Sequence, residues 1–371
     1  MNTNTSEAVY LDRINRARTE MKRAGVDALI LSVGHDLPYL TGYLAMPLER
    51  LTLLVVPQIG KASLIIPRLE APRVHELPTV FSLVPWNETD DPVRLAHELL
   101  GNARTIAVGD QMWSRFLVDL LQHRPDNKYV RSVEVMEALR SRKDAAEIAA
   151  LKAAGAAADR VAAQLHAGEI PMVGRTEAEV SADISARLIA EGHQKVNFAI
   201  VAAGENAASP HHHAGDRVIR HGEIVLCDFG GTMNGYCSDI TRCVHIGEPP
   251  ADIAAAYAVL MQAQAAGVAA GVLGSSCENV DAVTRAIIDA AGYGEYFVHR
   301  TGHGIGMEEH EDPYMVTGNS TPIAAGYAYS VEPGIYVPGK WGMRLEDIVV
   351  ATEHGPVAVN NANHALVVLD R

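Results

Sequence analysis

A chain of 371 residues, 48% hydrophobic and 20% charged, is long enough for two domains with cores of their own and has ordinary globular composition. Its net charge of −14 argues against a nucleic-acid face, which needs a basic patch, and no long Lys/Arg run appears. The polar start, Met1 to Glu7, has no basic segment and leads into no apolar run long enough for a signal peptide or membrane span; we expect a cytoplasmic protein with neither nucleic-acid nor membrane partners.

In chain order, Leu11, Ile14, Ala17 and Met21 fall at helical spacing over Tyr10 to Ala24, and Gly25 ends that helix. Val26 to Val33 reads as a buried strand, Leu51 to Val56 and Ala62 to Ile66 as two more. Pro92 to Leu100 reads as helix, Thr105 to Val108 as strand, Ser114 to Gln122 as helix and Arg131 to Val135 as strand. This alternation predicts an α/β layer domain over residues 1–138. His35, Tyr39 and Tyr43, after its first strand, either pack locally or reach a substrate rim.

The charged stretch Ala138 to Lys143 marks the boundary, and residues 139–371 form a second domain of α+β type. Asp144 with Glu147, and Thr176 with Glu179, are capping boxes for helices reaching about Leu165 and Gly192. A strand over Val196 to Ala202 follows. Ile224 to Leu226, Asn234-Gly235 and Ile240 to Val244 then read as a β-hairpin with a primed turn. Pro250 opens an Ala-rich helix to about Ala270, and Val280 to Ala291 forms another. Val298 to Asp312, Ala328 to Tyr336 and Met343 to Ala351 close the chain. Two helices, a hairpin, two helices and more strands suggest halves that echo each other, without a repeat at residue level.

The hairpin carries the first chemical signal. With Asn234-Gly235 as loop, Asp228 opposes Thr241 and Asp239 lies two residues nearer the turn, so both carboxylates share a face, roughly 7 Å apart at Cβ. A bulge at Gly230-Gly231 would shift that register by one. Aspartates beside a turn usually only solvate it. Like charges this close instead call for a cation between them. Cys227, on the opposite pleat, reads with Cys237 and Cys243 as a small buried hydrophobe, since no CxxC spacing is present.

The closing segments add Gly302-His303-Gly304, whose glycines allow close backbone approach to a ligand, then His310, then Glu332 in Val331-Glu-Pro-Gly334, and Glu346 in Arg344-Leu-Glu-Asp347. Singly, each has a dull explanation. Together, Asp228, Asp239, His303, Glu332 and Glu346 are four carboxylates and one imidazole in apolar strands and Gly-rich turns, where unpaired burial would be prohibitive. Mostly oxygen donors favour Mn²⁺, with Co²⁺, Zn²⁺ or Fe²⁺ as alternatives.

This order of motifs resembles the pita-bread metallopeptidases: prolidase, aminopeptidase P and methionine aminopeptidase. The resemblance covers about residues 140 to 371, and all five metal-ligand positions match. Tyr39-Leu-Thr-Gly42 resembles the creatinase/prolidase amino-terminal domain, which favours the Xaa-Pro branch. The resemblance implies two divalent ions, one held by Asp228 and Asp239, the other by His303 and Glu332, with Asp239 and Glu346 bridging. It implies that a shared water attacks the carbonyl before proline, with Glu332 taking its proton while His310 and His211 contact substrate and oxyanion. His212 and His213 receive no role and read as solvent-facing.

The expected substrates are small peptides with proline in second position, and family habit implies a homodimer. A dipeptidase must pair the proline carboxylate, usually with Arg, and Arg344 is the expected partner. Prolidases also tend to carry an arginine after the second catalytic histidine, and this chain has none between Arg300 and Arg344. Xaa-Pro dipeptidase leads; aminopeptidase P on longer peptides, a creatinase-like metal-free amidinohydrolase, and a catalytically dead binding module are the alternatives.

Overall fold

The structure, a computed structural model, describes residues 5–370; residues 1–4 of the polar leader and residue 371 lie outside the described part. It divides into two compact units, Met1–Arg140 and Ser141–Arg371.

The first unit runs α1 (Glu7–Ala24), β1 (Ala28–Leu31), α2 (Asp36–Thr41), β2 (Leu53–Pro57), β3 (Ala62–Pro67), β4 (Phe81–Trp86), α3 (Pro92–Leu100), β5 (Thr105–Val108), α4 (Ser114–His123), β6 (Lys128–Arg131) and α5 (Val133–Arg140). Gly25, at φ 66°, closes α1 in the left-handed region that glycine enters freely. The six strands form one mixed sheet in the order β4-β3-β2-β1-β5-β6. Strand β4 was not expected. The segment expected as a strand over Arg131 to Val135 instead ends β6 and starts α5. Its valines suit a strand by propensity, but Val135, Met136 and Leu139 form a buried helical stripe. Tyr39 is buried beneath Arg13, whose guanidinium lies 4.0 Å from the ring centroid, and its hydroxyl donates to Leu139 O at 3.2 Å. Tyr43 is buried as well, so both tyrosines serve local packing.

The second unit continues with α6 (Ala145–His166), α7 (Glu177–Ala190), β7 (Lys195–Ala203), β8 (Ile224–Met233), β9 (Tyr236–Cys237), β10 (Ile240–Ile246), α8 (Ala251–Ala270) and α9 (Cys277–Ala290). Both predicted capping boxes form, Asp144 with Glu147 and Thr176 with Glu179. Then come β11 (Gly302–Gly304), β12 (Glu311–Met315), β13 (Ala328–Val331), β14 (Gly334–Val337), β15 (Trp341–Arg344), β16 (Asp347–Thr352), β17 (Gly355–Ala358) and β18 (Val367–Leu369). One sheet has the order β18-β10-β8-β7 with β9 beside β8, another β12-β11-β13-β16-β17, and β14-β15 form a ribbon.

Alternation along β8 and β10 separates two packing faces. Val225, Cys227 and Phe229 pack with Val161, Leu165 and Ile184 of α6 and α7. Leu226 and Cys243 pack instead with Ile253, Tyr257 and Leu260 of α8. Helix α8 has the length and apolarity of a membrane span, and those three side chains bury one of its faces in this core. Asp228 shares the pleat of Leu226, which sets its carboxylate toward the second half of the unit.

Candidate metal and active site

Asn234 and Gly235 have φ of 52° and 85°, positive at both positions as a type I′ turn requires. Asp228 pairs with Thr241 and Phe229 with Ile240, the register expected without a bulge. The ladder is interrupted at Ser238 and Asp239, between β9 and β10. A Cβ at Gly230 would lie 2.1 Å from Ser238 O, so glycine lets the interrupted strand close on β8.

The other donors stand where strands break. Glu332 lies between β13 and β14, which belong to different sheets, and Pro333 after it has no N–H for the ladder. Glu346 lies between β15 and β16, and its N–H crosses to Thr241 O at 3.3 Å. The closing segments over Ala328 to Tyr336 and Met343 to Ala351 each contain such a break. His303 sits on β11, pressed between β12 and β13. A Cβ at Gly302 would lie 1.9 Å from Ser330 O and one at Gly304 2.4 Å from Asp312 O. These glycines admit neighbouring strands, where the sequence suggested close approach of a ligand.

Asp239, His303 and Glu346 present donor atoms all within 4.8 Å of one another. His303 Nε2 lies 3.7 Å from Asp239 Oδ2 and 3.3 Å from Glu332 Oε1. Its Nδ1 donates to Gly304 O at 3.1 Å, which leaves the Nε2 lone pair aimed at carboxylates. Asp228 Oδ1, Asp239 Oδ1 and Glu346 Oε1 are buried without a hydrogen bond among the described residues. Two of the remaining oxygens are held by hydroxyls: Thr241 Oγ1 donates to Glu346 Oε2 at 2.7 Å and Ser330 Oγ to Glu332 Oε1 at 3.1 Å.

Burial pushes Asp239 well above the ordinary carboxylate range, and Glu346, Asp228 and Glu332 add to the shift. Burial does the same to Glu346, helped by Glu332 and Asp228, and lifts Glu332 to about 7 against the pull of Arg344. Burial, then the adjacent His310, holds His303 well below its ordinary value. A neutral imidazole lone pair beside orphaned, buried carboxylate oxygens fits a divalent cation, which would satisfy them with the carboxylates ionised.

These groups line a cavity of about 570 Å³, to which His211, His310 and Arg300 also contribute. The His310 ring lies 3.9 Å from that of His303, centroid to centroid. His211 is exposed at the cavity, whereas His212, expected to face solvent, turns inward. Its Nε2 lies 2.7 Å from Glu177 Oε2, and that fully buried carboxylate also accepts from Ala203 N at 2.9 Å. No spacing signal in the sequence links Glu177 to His212.

Arg344 corrects a second expectation. Its guanidinium is 3% exposed and every nitrogen donates to the protein: Nη2 to Asp228 Oδ2, Nη1 to Tyr336 Oη at 2.8 Å and Pro210 O at 3.3 Å, Nε to Thr241 Oγ1 at 3.1 Å. It is an internal brace for Asp228 and is not free to grip a substrate carboxylate. Tyr336 and His299, whose Nε2 lies 2.9 Å from the Tyr336 hydroxyl, extend this network; neither carries a motif of its own.

Residues 148–353 match metallopeptidase family M24, and residues 13–142 match the creatinase/prolidase N-terminal domain. A probable dipeptidase PepE of Mycobacterium tuberculosis is 44% identical, the alignment covering 97% of each chain. The crystal structure of dipeptidase PepE from Mycobacterium ulcerans superposes with a TM-score of 0.91 at 44% identity, over 98% of this chain and 99% of that one. A recombinant prolidase from Thermococcus sibiricus gives 0.91 at 33% identity, over 97% and 99%. The fold is thus the pita-bread catalytic domain preceded by a creatinase-type domain, and M24 membership brings with it peptidase activity and the use of divalent metal. The chain belongs to the metallopeptidase family M24.

Proposed function

We propose that this M24 peptidase is a dinuclear Xaa-Pro dipeptidase, and the observation that carries the reading is the cluster of Asp239, His303 and Glu346, with Asp228 and Glu332 lining the same cavity and three carboxylate oxygens orphaned. Asp228 and Asp239 would hold one ion, His303 and Glu332 the other, with Asp239 and Glu346 shared. Four carboxylates against one imidazole favour Mn²⁺, with Co²⁺, Zn²⁺ or Fe²⁺ as alternatives. Bound divalent ions would supply a water of lowered pKa and polarise the scissile carbonyl.

The chain's own residues do the rest. Glu332, on the cavity wall 3.3 Å from His303 Nε2, suits a group that takes a proton from water and returns it to the leaving proline nitrogen. His310, held below its ordinary value by partial desolvation, Arg300 and His211, is a neutral N–H donor to the carbonyl oxygen, and His211 faces the same cavity. An Xaa-Pro bond has no N–H and a fixed φ, so it defeats clefts that grip an extended strand. Phe198, Ile200 and Val316 give this cavity apolar walls suited to a proline ring.

The PepE relatives and the prolidase structure support the dipeptide reading over aminopeptidase P. The retained donor set speaks against a creatinase-like amidinohydrolase and against a dead binding module, which would have lost ligands. We keep with this reading a homodimer, on family grounds, and a cytoplasmic location, in keeping with four buried cysteine thiols. The test offers Ala-Pro beside Ala-Pro-Ala to metal-loaded protein and follows products by chromatography. Cleavage of the dipeptide is expected; cleavage of the tripeptide alone would move the enzyme to aminopeptidase P.

A further inference from the structure

Three histidines follow Pro210, and each meets a different environment. His211 lines the cavity, His212 turns into the protein, and His213 is exposed. Glu177, the first residue of α7, receives His212. Its carboxylate is fully buried and accepts from His212 Nε2 at 2.7 Å, from Ala203 N at 2.9 Å, and from Asn206 Nδ2 at 3.1 and 3.2 Å on its two oxygens. A helix N-terminus favours negative charge at this position. A buried carboxylate with both oxygens paired is a firm anchor.

That anchor holds both ends of a short loop. Ala203 ends β7 and the 3-10 turn Gly204–Ala208 follows. Ser209 N then donates to Asn206 O at 3.0 Å, and His212 N to Ser209 O at 3.2 Å. His211 is thus the third residue of a β-turn that His212 closes and Pro210 stiffens at its second position. Pro210 O in turn accepts from Arg344 Nη1 at 3.3 Å. The exposed His211 ring therefore stands between two fixed neighbours, one tied to Glu177 and the other to the brace of Asp228. Glu177 and His212 themselves do not line the cavity among the described residues.

Resting on the reading of His211 as a substrate-contacting histidine, we propose that Glu177 and His212 are positioning residues that hold the His211 imidazole at its working angle in the cavity. An exposed loop side chain has rotamer freedom to lose before it can meet a substrate. A displacement of about 1 Å at such a group can cost on the order of 10²-fold in rate. Fixing the backbone on either side of His211 removes part of that freedom before substrate arrives. The pair acts through the geometry of the loop and takes no part in bond breaking.

The experiment compares His212→Ala, His211→Ala and the double variant with wild type on the metal-loaded full chain, using Ala-Pro or Ala-Pro-Ala, whichever wild type cleaves faster. His212→Ala should lose on the order of 10-fold in kcat/KM and retain its metal through dialysis. Added to His211→Ala, the same change should cost no more than about twofold further, since the group it positions is gone. A purely structural role would cost the same on both backgrounds. Glu177→Gln should repeat this pattern, and His212→Gln, whose amide nitrogen can take the place of Nε2 as donor to Glu177, should recover most of the loss. Hydrogen exchange gives a readout without turnover: in chelator-treated protein, residues 209–213 should exchange faster in His212→Ala and as in wild type in His211→Ala. Unchanged kcat/KM in His212→Ala, or an equal loss with and without His211, overturns the assignment. Wild-type turnover in His211→Ala would instead sink the reading of His211 on which it rests.

Discussion

Arg344 Nη2 donates to Asp228 Oδ2, and this buried pair ties the β15 end of the ribbon to the middle of β8. The same guanidinium reaches Thr241, which in turn donates to Glu346. One cation thus orients two of the proposed metal ligands, one on β8 and one between β15 and β16. Partners of this kind typically contribute 10–100-fold to metal affinity or activity. Arg344→Met should therefore lower kcat/KM by roughly that factor, equally on dipeptides and their amides, with less metal retained after dialysis. A loss confined to free carboxylates would return Arg344 to the substrate-binding role.

Asp239 tests the metal site from the opposite direction. It is buried among Glu346, Asp228 and Glu332, all of which disfavour its charge. Without metal, Asp239→Asn removes one of several mutually repelling carboxylates, so in chelator the variant should melt no lower than wild type. With Mn²⁺ the order should reverse, because only wild type gains fully from binding; an ion at 100 times its Kd adds about 2.7 kcal/mol. Turnover should fall by roughly 10²-fold or more, and elemental analysis should give about two ions per wild-type chain on the dinuclear reading. Wild-type-like turnover in the variant would refute the assignment.

The raised carboxylates also set the pH response. Asp239, Glu346 and Glu332 have folded-state values above those of the unfolded chain, Glu332 at about 7. The native metal-free protein therefore binds more protons than the unfolded one between about pH 4.5 and 7, and its stability falls as pH rises through that window. Metal binding requires the same groups deprotonated, so its stabilisation grows over the same range. The gap in Tm between Mn²⁺-loaded and chelator-treated protein should widen from pH 5 to pH 7.5. A gap independent of pH would mean that these carboxylates are not the ligands.

How much of this the residues announced depends on how local each feature is. The hairpin was legible because register follows from a two-residue turn, and Asn234-Gly235 admits the positive φ that a primed turn needs. Both capping boxes were legible for the same reason, being contacts between residues three apart. The breaks after Val331 and Arg344 were not, because an apolar run gives no sign of where a chain leaves one sheet for another. Glu332 and Glu346 were found as motifs, yet the change of sheet beside each was invisible. Arg344 was misread since nothing nearby in sequence shows Asp228, Tyr336 and Thr241 closing around it. Helix α5 was lost to the strand propensity of its valines.

Arg242, next to Thr241, offers a test of how Glu346 is positioned. Its side chain is fully buried, pairs with Asp347 Oδ1 at 2.7 Å, and donates to Glu346 O at 2.7 Å and to Ala362 O and Asn363 O at 2.9 Å each. Asp347 accepts further from Gln264 at 3.2 Å, so removing the arginine leaves a buried carboxylate only partly compensated. Arg242→Leu should cost about 3–5 kcal/mol in urea unfolding, and pairing it with Asp347→Leu should recover part of that loss, because the stranded charge goes with the second change. Glu346 loses the anchor on its carbonyl in both variants, so metal retention should fall in the double variant even where stability returns. A single-variant cost below about 1 kcal/mol, the range of exposed pairs, would show that Arg242 does not hold this junction together.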